Sequence, residues 1–320
     1  MLTIARHSSR SPLRQAQRVL ASGAPRERIT IRALTTRPVD IERRVEAREK
    51  TSHEAVSSSI REPTLSELFS LKGRTVIVTG GARGLGLTLA GAYLEAGADV
   101  YCVDIRPTAV SSQEWDRLTT LAKDSNLTLG YRQADITHSA SLNEVFRDIA
   151  AESPSPVRAL MAAAGIQHEC DAIDYDEKDV RRMLDVNTVG AFNTAQAAAR
   201  LMQQHNLGGS IIMVASMSAT IANRGLTCAP YNASKAALVQ LARNFAMEWA
   251  PSIRVNTLSP GYIKTALTEK LIEDRPNARE RWEGDNPLER MSLPWEYKGP
   301  AVFLASDASS YCNGFDLRCE

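Results

Sequence analysis

The sequence predicts an α/β fold, a doubly wound parallel sheet built as a single domain over residues 63–320. Three observations predict it. Past Pro63, short β-branched runs alternate with longer amphipathic stretches; a glycine-rich turn ends the first run and opens a helix; and no second boundary, internal repeat or low-complexity tract follows. Strands alternating with helices imply right-handed βαβ crossovers that cover both faces of a parallel sheet.

The elements follow in order. Arg74-Thr75-Val76-Ile77-Val78-Thr79 reads as a buried strand stopped by Gly80-Gly81, and Leu85 to Glu95 as a helix closed by Gly97. Val100–Val103 predicts a second strand, Leu129–Arg132 a weaker third, Val157–Ala162 a fourth, Ile211–Val214 a fifth and Ile253–Thr257 a sixth. Helices are predicted at about 141–151, 177–204 and 231–249. Phe315-Asp316-Leu317-Arg318 reads as the start of a final edge strand, with Phe315 and Leu317 on one side by the period of two.

Composition narrows the function classes. Of 320 residues 43% are hydrophobic and 23% charged, enough to bury a core, and the net charge of +1 argues against nucleic-acid binding through a global positive field. No run of about 18 apolar residues is present to span a bilayer. Five cysteines (Cys102, Cys170, Cys228, Cys312, Cys319) form no CxxC pair, and their odd number points to a reducing compartment without a disulfide framework. His168-Glu169-Cys170-Asp171 has no second ligand cluster, so no metal is expected.

The first 62 residues read separately, as a mitochondrial transit peptide and linker. No acid occurs from Met1 to Arg26, whereas Arg6, Arg10, Arg14 and Arg18 recur every four residues among serines. Pro12 interrupts any helix there, and a disordered basic tail on a cytoplasmic protein is the alternative. Acids and bases mix densely from Asp40 to Lys50, as in a solvated linker.

Thr79-Gly80-Gly81-Ala82-Arg83-Gly84-Leu85-Gly86 lies between the first strand and first helix. In that position Gly80 permits a tight turn, Gly84 lets backbone approach a pyrophosphate, and Gly86 allows close helix–strand packing. The helix N-terminus offers free N–H groups to the phosphates, as in a Rossmann-type fold. Asp104 ends the second strand, 24 residues after Gly80, where a carboxylate can accept from the adenosine ribose hydroxyls and repel a 2′-phosphate. NAD is therefore expected. Arg83 and Arg106 lie near enough in sequence to leave NADP open.

Tyr231 and Lys235 fall four residues apart on one helical face. A neighbouring ammonium is expected to lower the tyrosine pKa toward the working range, so that the pair can move a proton on and off a substrate oxygen.

From about Leu65 to the end, the chain resembles the short-chain dehydrogenase/reductases. The motifs that match in order are Thr79–Gly86, Asp135-Ile136, Ala164-Gly165, Asn187, Ser216, Tyr231…Lys235 and Pro260-Gly261. The resemblance implies Tyr231 as acid/base, Lys235 as its tuner and holder of the nicotinamide ribose, Ser216 as positioner of the substrate oxygen, and Asn187 as anchor of a proton-relaying water chain. Val214-Ala215-Ser216-Met217-Ser218 offers two serines, and Ser216 is preferred because it directly follows the strand. The implied cofactor site comprises Gly80, Arg83, Gly84, Leu85, Gly86, Asp104, Asp135, Ile136, Ala164, Gly165, Tyr231, Lys235, Pro260, Gly261 and Ile263, with Asp135 near the adenine and Pro260-Gly261 near the nicotinamide. Tyr262, Thr265 and Thr268 are candidates for the substrate loop, or else belong to a solvated helix start.

Ala163–Gln167, Ala215–Ser218, Ala222–Gly225 and Ser259–Tyr262 are similar to the fungal branch with arabinitol and mannitol dehydrogenases and sorbose reductases, which implies a polyol/ketose substrate. Two departures stand out. Ala162-Ala163-Ala164-Gly165 replaces the usual Asn-Asn-Ala-Gly, and the chain stops at Asp316–Glu320 where relatives run on through an Asp-Gly-Gly turn and a tail. A homo-oligomer (dimer or tetramer) is implied, and the stop predicts a fraying last strand and weaker association. Two alternatives remain. One is a reductase of a larger ketone, against which the charged stretch from Lys264 to Asp285 speaks; the other is a non-catalytic NAD-binding protein, for which the shortened C-terminus speaks and against which the intact Asn187/Ser216/Tyr231/Lys235 set speaks.

Overall fold

The structure, a computed structural model, describes residues 61–320 apart from residues 111, 205, 207, 274 and 276. The targeting expectation for the N-terminal segment falls on residues outside those described.

A short helix, α1 (Leu65–Leu68), opens with a reciprocal capping box between Thr64 and Glu67. There follow β1 (Thr75–Thr79), α2 (Gly84–Glu95), β2 (Asp99–Asp104), α3 (Ser112–Asp124), β3 (Leu129–Gln133), α4 (Ser139–Glu152), β4 (Val157–Ala162), α5 (Glu177–Leu184) and α6 (Ala191–Gln204). The chain continues through β5 (Gly209–Val214), α7 (Ala229–Glu248), β6 (Ile253–Pro260), α8 (Ala266–Glu273), α9 (Ala278–Gly284), α10 (Lys298–Ala305) and β7 (Asp316–Cys319).

The strands form one sheet in the order β3-β2-β1-β4-β5-β6-β7, every pair parallel. Strand alternation divides the core in two. Ile77, Val103, Leu160 and Ile211 pack with Leu142, Phe146, Ala195 and Leu238 on one face. Val76, Val78, Cys102 and Ile212 pack with Leu89, Tyr93, Leu118 and Leu304 on the other. Burial on both faces is why the strand sequences run apolar without alternating. The chain order reverses between β1 and β4, so a crevice opens at the carboxyl ends of those strands.

The expected helix over 177–204 is not continuous: a π-helical segment, Asp185–Gly190, separates α5 from α6. An extra residue per turn re-aims side chains without changing the apolar period on either side, so periodicity does not report it. Helices α1, α3, α9 and α10 were not expected, and of α8 only a start near Thr265 and Thr268 was offered. In α3 only Leu118 and Ala122 are buried, too few to stand out as an apolar face. The final strand lies one residue later than expected and pairs four residues with β6. Its end is tied back to the fold: the Cys319 carbonyl accepts from Gly261 N–H at 2.9 Å and from the Tyr297 hydroxyl at 3.3 Å. Thr257 and Ser259 each donate to Asp316 Oδ1 at 2.6 Å.

Candidate active site

The turn after β1 shapes the phosphate end of the crevice. Gly80 has φ +74°, and a Cβ there would sit 2.7 Å from Ala164 N, so the turn lies directly against the loop after β4. A Cβ at Gly86 would sit 2.2 Å from the Gly80 carbonyl oxygen. Arg83 caps α2 without a side-chain hydrogen bond, and no acid occupies the first helical turn. The amides there are thus free to meet an anion, and the space beside Gly84 is open.

Asp104 stands at the end of β2 as expected. Its carboxylate accepts from Ala82 N–H at 3.2 Å and Arg106 N–H at 3.1 Å, which aims it into the crevice beside the glycine turn. Asp135 accepts from the N–H and hydroxyl of Thr137, at 2.9 and 2.8 Å. Burial pushes its pKa up, but those bonds and nearby His138 outweigh it, and the net shift is downward. Ile136 packs where a Cβ on Gly190 would lie, 2.6 Å away, tying this loop to the π segment.

At the catalytic end, Tyr231 and Lys235 lie one turn apart on α7. Ser216 follows β5 with its hydroxyl close enough to the Tyr231 phenol to draw that pKa down against burial, while Ser218 N–H donates to Ser216 Oγ at 3.1 Å. Ser216, not Ser218, is therefore the tyrosine's partner. Asn187 is fully buried in the π segment. Its Oδ1 accepts from Ile166 N–H at 2.8 Å; its Nδ2 donates to Ile166 O at 2.9 Å and Ser234 Oγ at 3.0 Å. A Cβ on Gly165 would lie 3.3 Å from Asn187 Oδ1 and 3.5 Å from Lys235 Nζ, which places asparagine, glycine and lysine in one contact.

The expected lowering of the Tyr231 pKa by Lys235 is corrected. The ammonium donates to the Val214 carbonyl at 2.8 Å and stands 5.7 Å from the Tyr231 ring centroid. Desolvation governs both groups: it pushes the tyrosine up to about 12, with the Ser216 hydroxyl opposing, and the lysine down to about 8.

One continuous cleft of about 1340 Å³ is lined by all the expected cofactor residues, including Leu85, Ala164, Pro260, Gly261 and Ile263, and by Ser216. Asn187 lies beneath that lining rather than in it. The cleft matches a dinucleotide in three ways: uncapped amides at a helix start, a carboxylate at the β2 end, and hydroxyls at the far end. Thr265 and Thr268 line it too and bond each other reciprocally (Thr265 N–H to Thr268 Oγ1, 2.9 Å), so both readings of them hold. Within the 264–285 stretch Glu269 pairs with Arg279, and Arg275 with Glu169 outside it; none of them lines the cleft, whereas Trp282 and nearby Tyr262 do. Asn223, Asn232 and Trp282 join the site without having been expected. Asn232 lay inside the Tyr231–Lys235 turn and Asn223 inside the Ala222–Gly225 run, whereas Trp282 carried no signal.

Three comparisons bear on this geometry. The family described as "Enoyl-(Acyl carrier protein) reductase" matches residues 80–319. A "short chain dehydrogenases/reductase notP'" of Aspergillus versicolor is 41% identical over 80% of this chain and 89% of its own. The ribulose-forming D-arabinitol 2-dehydrogenase of Candida tropicalis is 37% identical over 78% of this chain and 92% of its own. Among solved structures, a gluconate 5-dehydrogenase from Burkholderia cenocepacia, in complex with NADP and tartrate, superposes with a TM-score of 0.71 at 31% identity, covering 80% of this chain and 97% of that one. With the family match running over residues 80–319 and a relative 41% identical over 80% of the chain, this protein belongs to the short-chain dehydrogenase/reductase family and is an oxidoreductase acting on CH–OH groups.

Proposed function

We propose that this protein interconverts a polyol and a ketose at a secondary carbinol, with NAD as the preferred cofactor and NADP admissible. The observation that carries the reading is the Ser216–Tyr231 hydroxyl pair inside a cleft floored by Lys235. The nicotinamide, when bound, supplies the site that takes the carbinol hydride. Ser216 holds the substrate oxygen and Tyr231 takes its proton, so that alcohol becomes carbonyl with one hydride and one proton removed. Asn187 spends its side-chain amide on Ile166 and Ser234, which fixes the loop after β4 against α7 beneath the cleft. Asp104 supports NAD, because a 2′-phosphate beside its carboxylate is repelled. The arabinitol dehydrogenase relative supports a polyol, as does an aromatic and hydroxyl-bearing lining suited to a small sugar alcohol.

Steady-state assays of the purified protein with NAD and NADP against a panel of pentitols and hexitols test this. Tyr231→Phe is expected to abolish turnover while NADH affinity stays within about threefold, since only a hydroxyl is lost. A variant that kept most of its activity, or a wild type preferring NADPH, contradicts the reading.

We also infer a homo-oligomer. Between α6 and α7 runs a groove lined by Phe192, Leu241, Phe245 and Trp249, its rim carrying both Arg200 and Glu248. A patch with both charges on one rim is suited to meet its own copy about a two-fold axis. For residues 1–62 we propose mitochondrial targeting, supported by the acid-free, arginine-rich start. A fluorescent reporter carrying those residues is expected in mitochondria; a diffuse cytosolic signal contradicts it.

A further inference from the structure

A polar relay runs from the catalytic helix to the substrate end of the cleft without involving the acid/base set. Asn232 directly follows Tyr231, and its Oδ1 accepts from the Cys228 thiol at 3.1 Å. Its amide donates to Ile221 O and to Asn223 Oδ1, each at 3.0 Å. With its oxygen so engaged, Asn223, itself 8% exposed, turns its Nδ2 to the Tyr262 hydroxyl oxygen at 3.4 Å. The Tyr262 ring stacks on buried Trp282, centroids 4.4 Å apart and planes 6° apart. At its main chain, the Tyr262 carbonyl accepts from both the N–H and the hydroxyl of Ser292 at 2.9 Å.

Tyr262 is thus held at three points: backbone by Ser292, ring by Trp282, hydroxyl by Asn223. The Asn223 amide can only donate to it, which leaves the tyrosine's own proton to be given away, and among the described residues none accepts it. Its hydroxyl is a preset donor in the cleft that Ser216 and Tyr231 also line. A simple alcohol has no second oxygen to receive that proton. A polyol has one on each neighbouring carbon.

We propose that Tyr262 determines specificity by donating a hydrogen bond to a hydroxyl on a non-reacting carbon of the substrate, with Trp282 and Asn223 as positioning residues. The inference rests on the polyol reading above and assigns the residue that enforces it. A site built to bond a hydroxyl discriminates against the analogue lacking it, because its own donor is then left unpaired. The stacked indole fixes the ring's plane, and the Asn232–Asn223 link sets the hydroxyl's direction from the residue next to the acid/base.

The test compares D-arabinitol with 2-pentanol, a five-carbon alcohol with a single hydroxyl, using NAD and the full-length protein. For Tyr262→Phe, kcat/KM on arabinitol should fall about ten- to hundredfold more than on 2-pentanol, mainly through KM. Asn223→Ala should shift the same ratio in the same direction by less, since it turns the hydroxyl without removing it. Equal losses on both substrates, or no loss on either, overturn the inference while the polyol reading stands. A wild type that turns over 2-pentanol better than every pentitol overturns both.

Discussion

Lys235 shows what the site costs at the scale of one residue. It is 5% exposed, makes one hydrogen bond, to Val214 O, and burial draws its pKa down to about 8. Below pH 8 the folded and unfolded chains both carry the charge, and the folded protein bears the whole desolvation cost. Between about 8 and 10.5 the unfolded chain holds more of the proton, so stability rises with pH. At about 1.4 kcal/mol per unit, the rise is on the order of 3 kcal/mol over that window. Lys235→Met removes the titration. Urea unfolding of the cofactor-free protein at pH 7 and pH 10 should show wild type gaining on the variant by roughly 2–3 kcal/mol. A difference that does not move with pH would show that the lysine titrates normally. Tyr231, raised to about 12, lowers stability from about pH 10 upward, and because wild type and variant share it, its effect cancels in their comparison.

At the scale of elements, the β1–α2 turn and the π segment do the positioning. The contact between Gly86 and the Gly80 carbonyl lets α2 start close enough to β1 for its amides to face the crevice. Gly86→Ala places a methyl 2.2 Å from that carbonyl oxygen, with backbone on both sides and no flexible side chain to yield. The helix must shift, at a cost of about 1–3 kcal/mol. NADH fluorescence titration should show affinity at least about tenfold weaker, the result of displaced amides. An unchanged titration would mean that the turn does not set the phosphate site. How legible these elements were differs between them. The turn was legible because glycines at fixed offsets after a strand have few other uses. The π segment was not, because Asn187 and Gly190 take their roles from Ile166, Ser234 and Ile136, residues distant in the chain.

At the scale of the whole molecule, two cores on either face of one sheet leave the α6–α7 side with an apolar groove, the Phe245 and Trp249 rings stacked 4.2 Å apart beside it. If a second copy covers that groove, the protein should sediment at a multiple of 35.0 kDa. Arg200→Glu, which makes the rim of one sign, should move the boundary toward the monomer. A wild type that sediments as a monomer at micromolar concentration would remove the oligomer from consideration.

The sequence by itself determined the parallel sheet, the site of its crevice, the phosphate turn, the strand-end place of Asp104 and the one-turn spacing of Tyr231 and Lys235, each from local chemistry: strand and helix periods, glycine offsets, a four-residue helical repeat. Ser216 was named through the family resemblance instead. Tertiary structure alone decided the rest. Lys235 meets Val214 and not the tyrosine hydroxyl, because β5 passes beneath α7. Glu269 pairs with Arg279 and Arg275 with Glu169, while Tyr262 stacks on Trp282 at the cleft with its carbonyl held by Ser292. Asn223 finds Tyr262 across 39 positions of chain. Burial and partner choice are properties of three-dimensional neighbours, and spacing along a chain does not encode which neighbour wins.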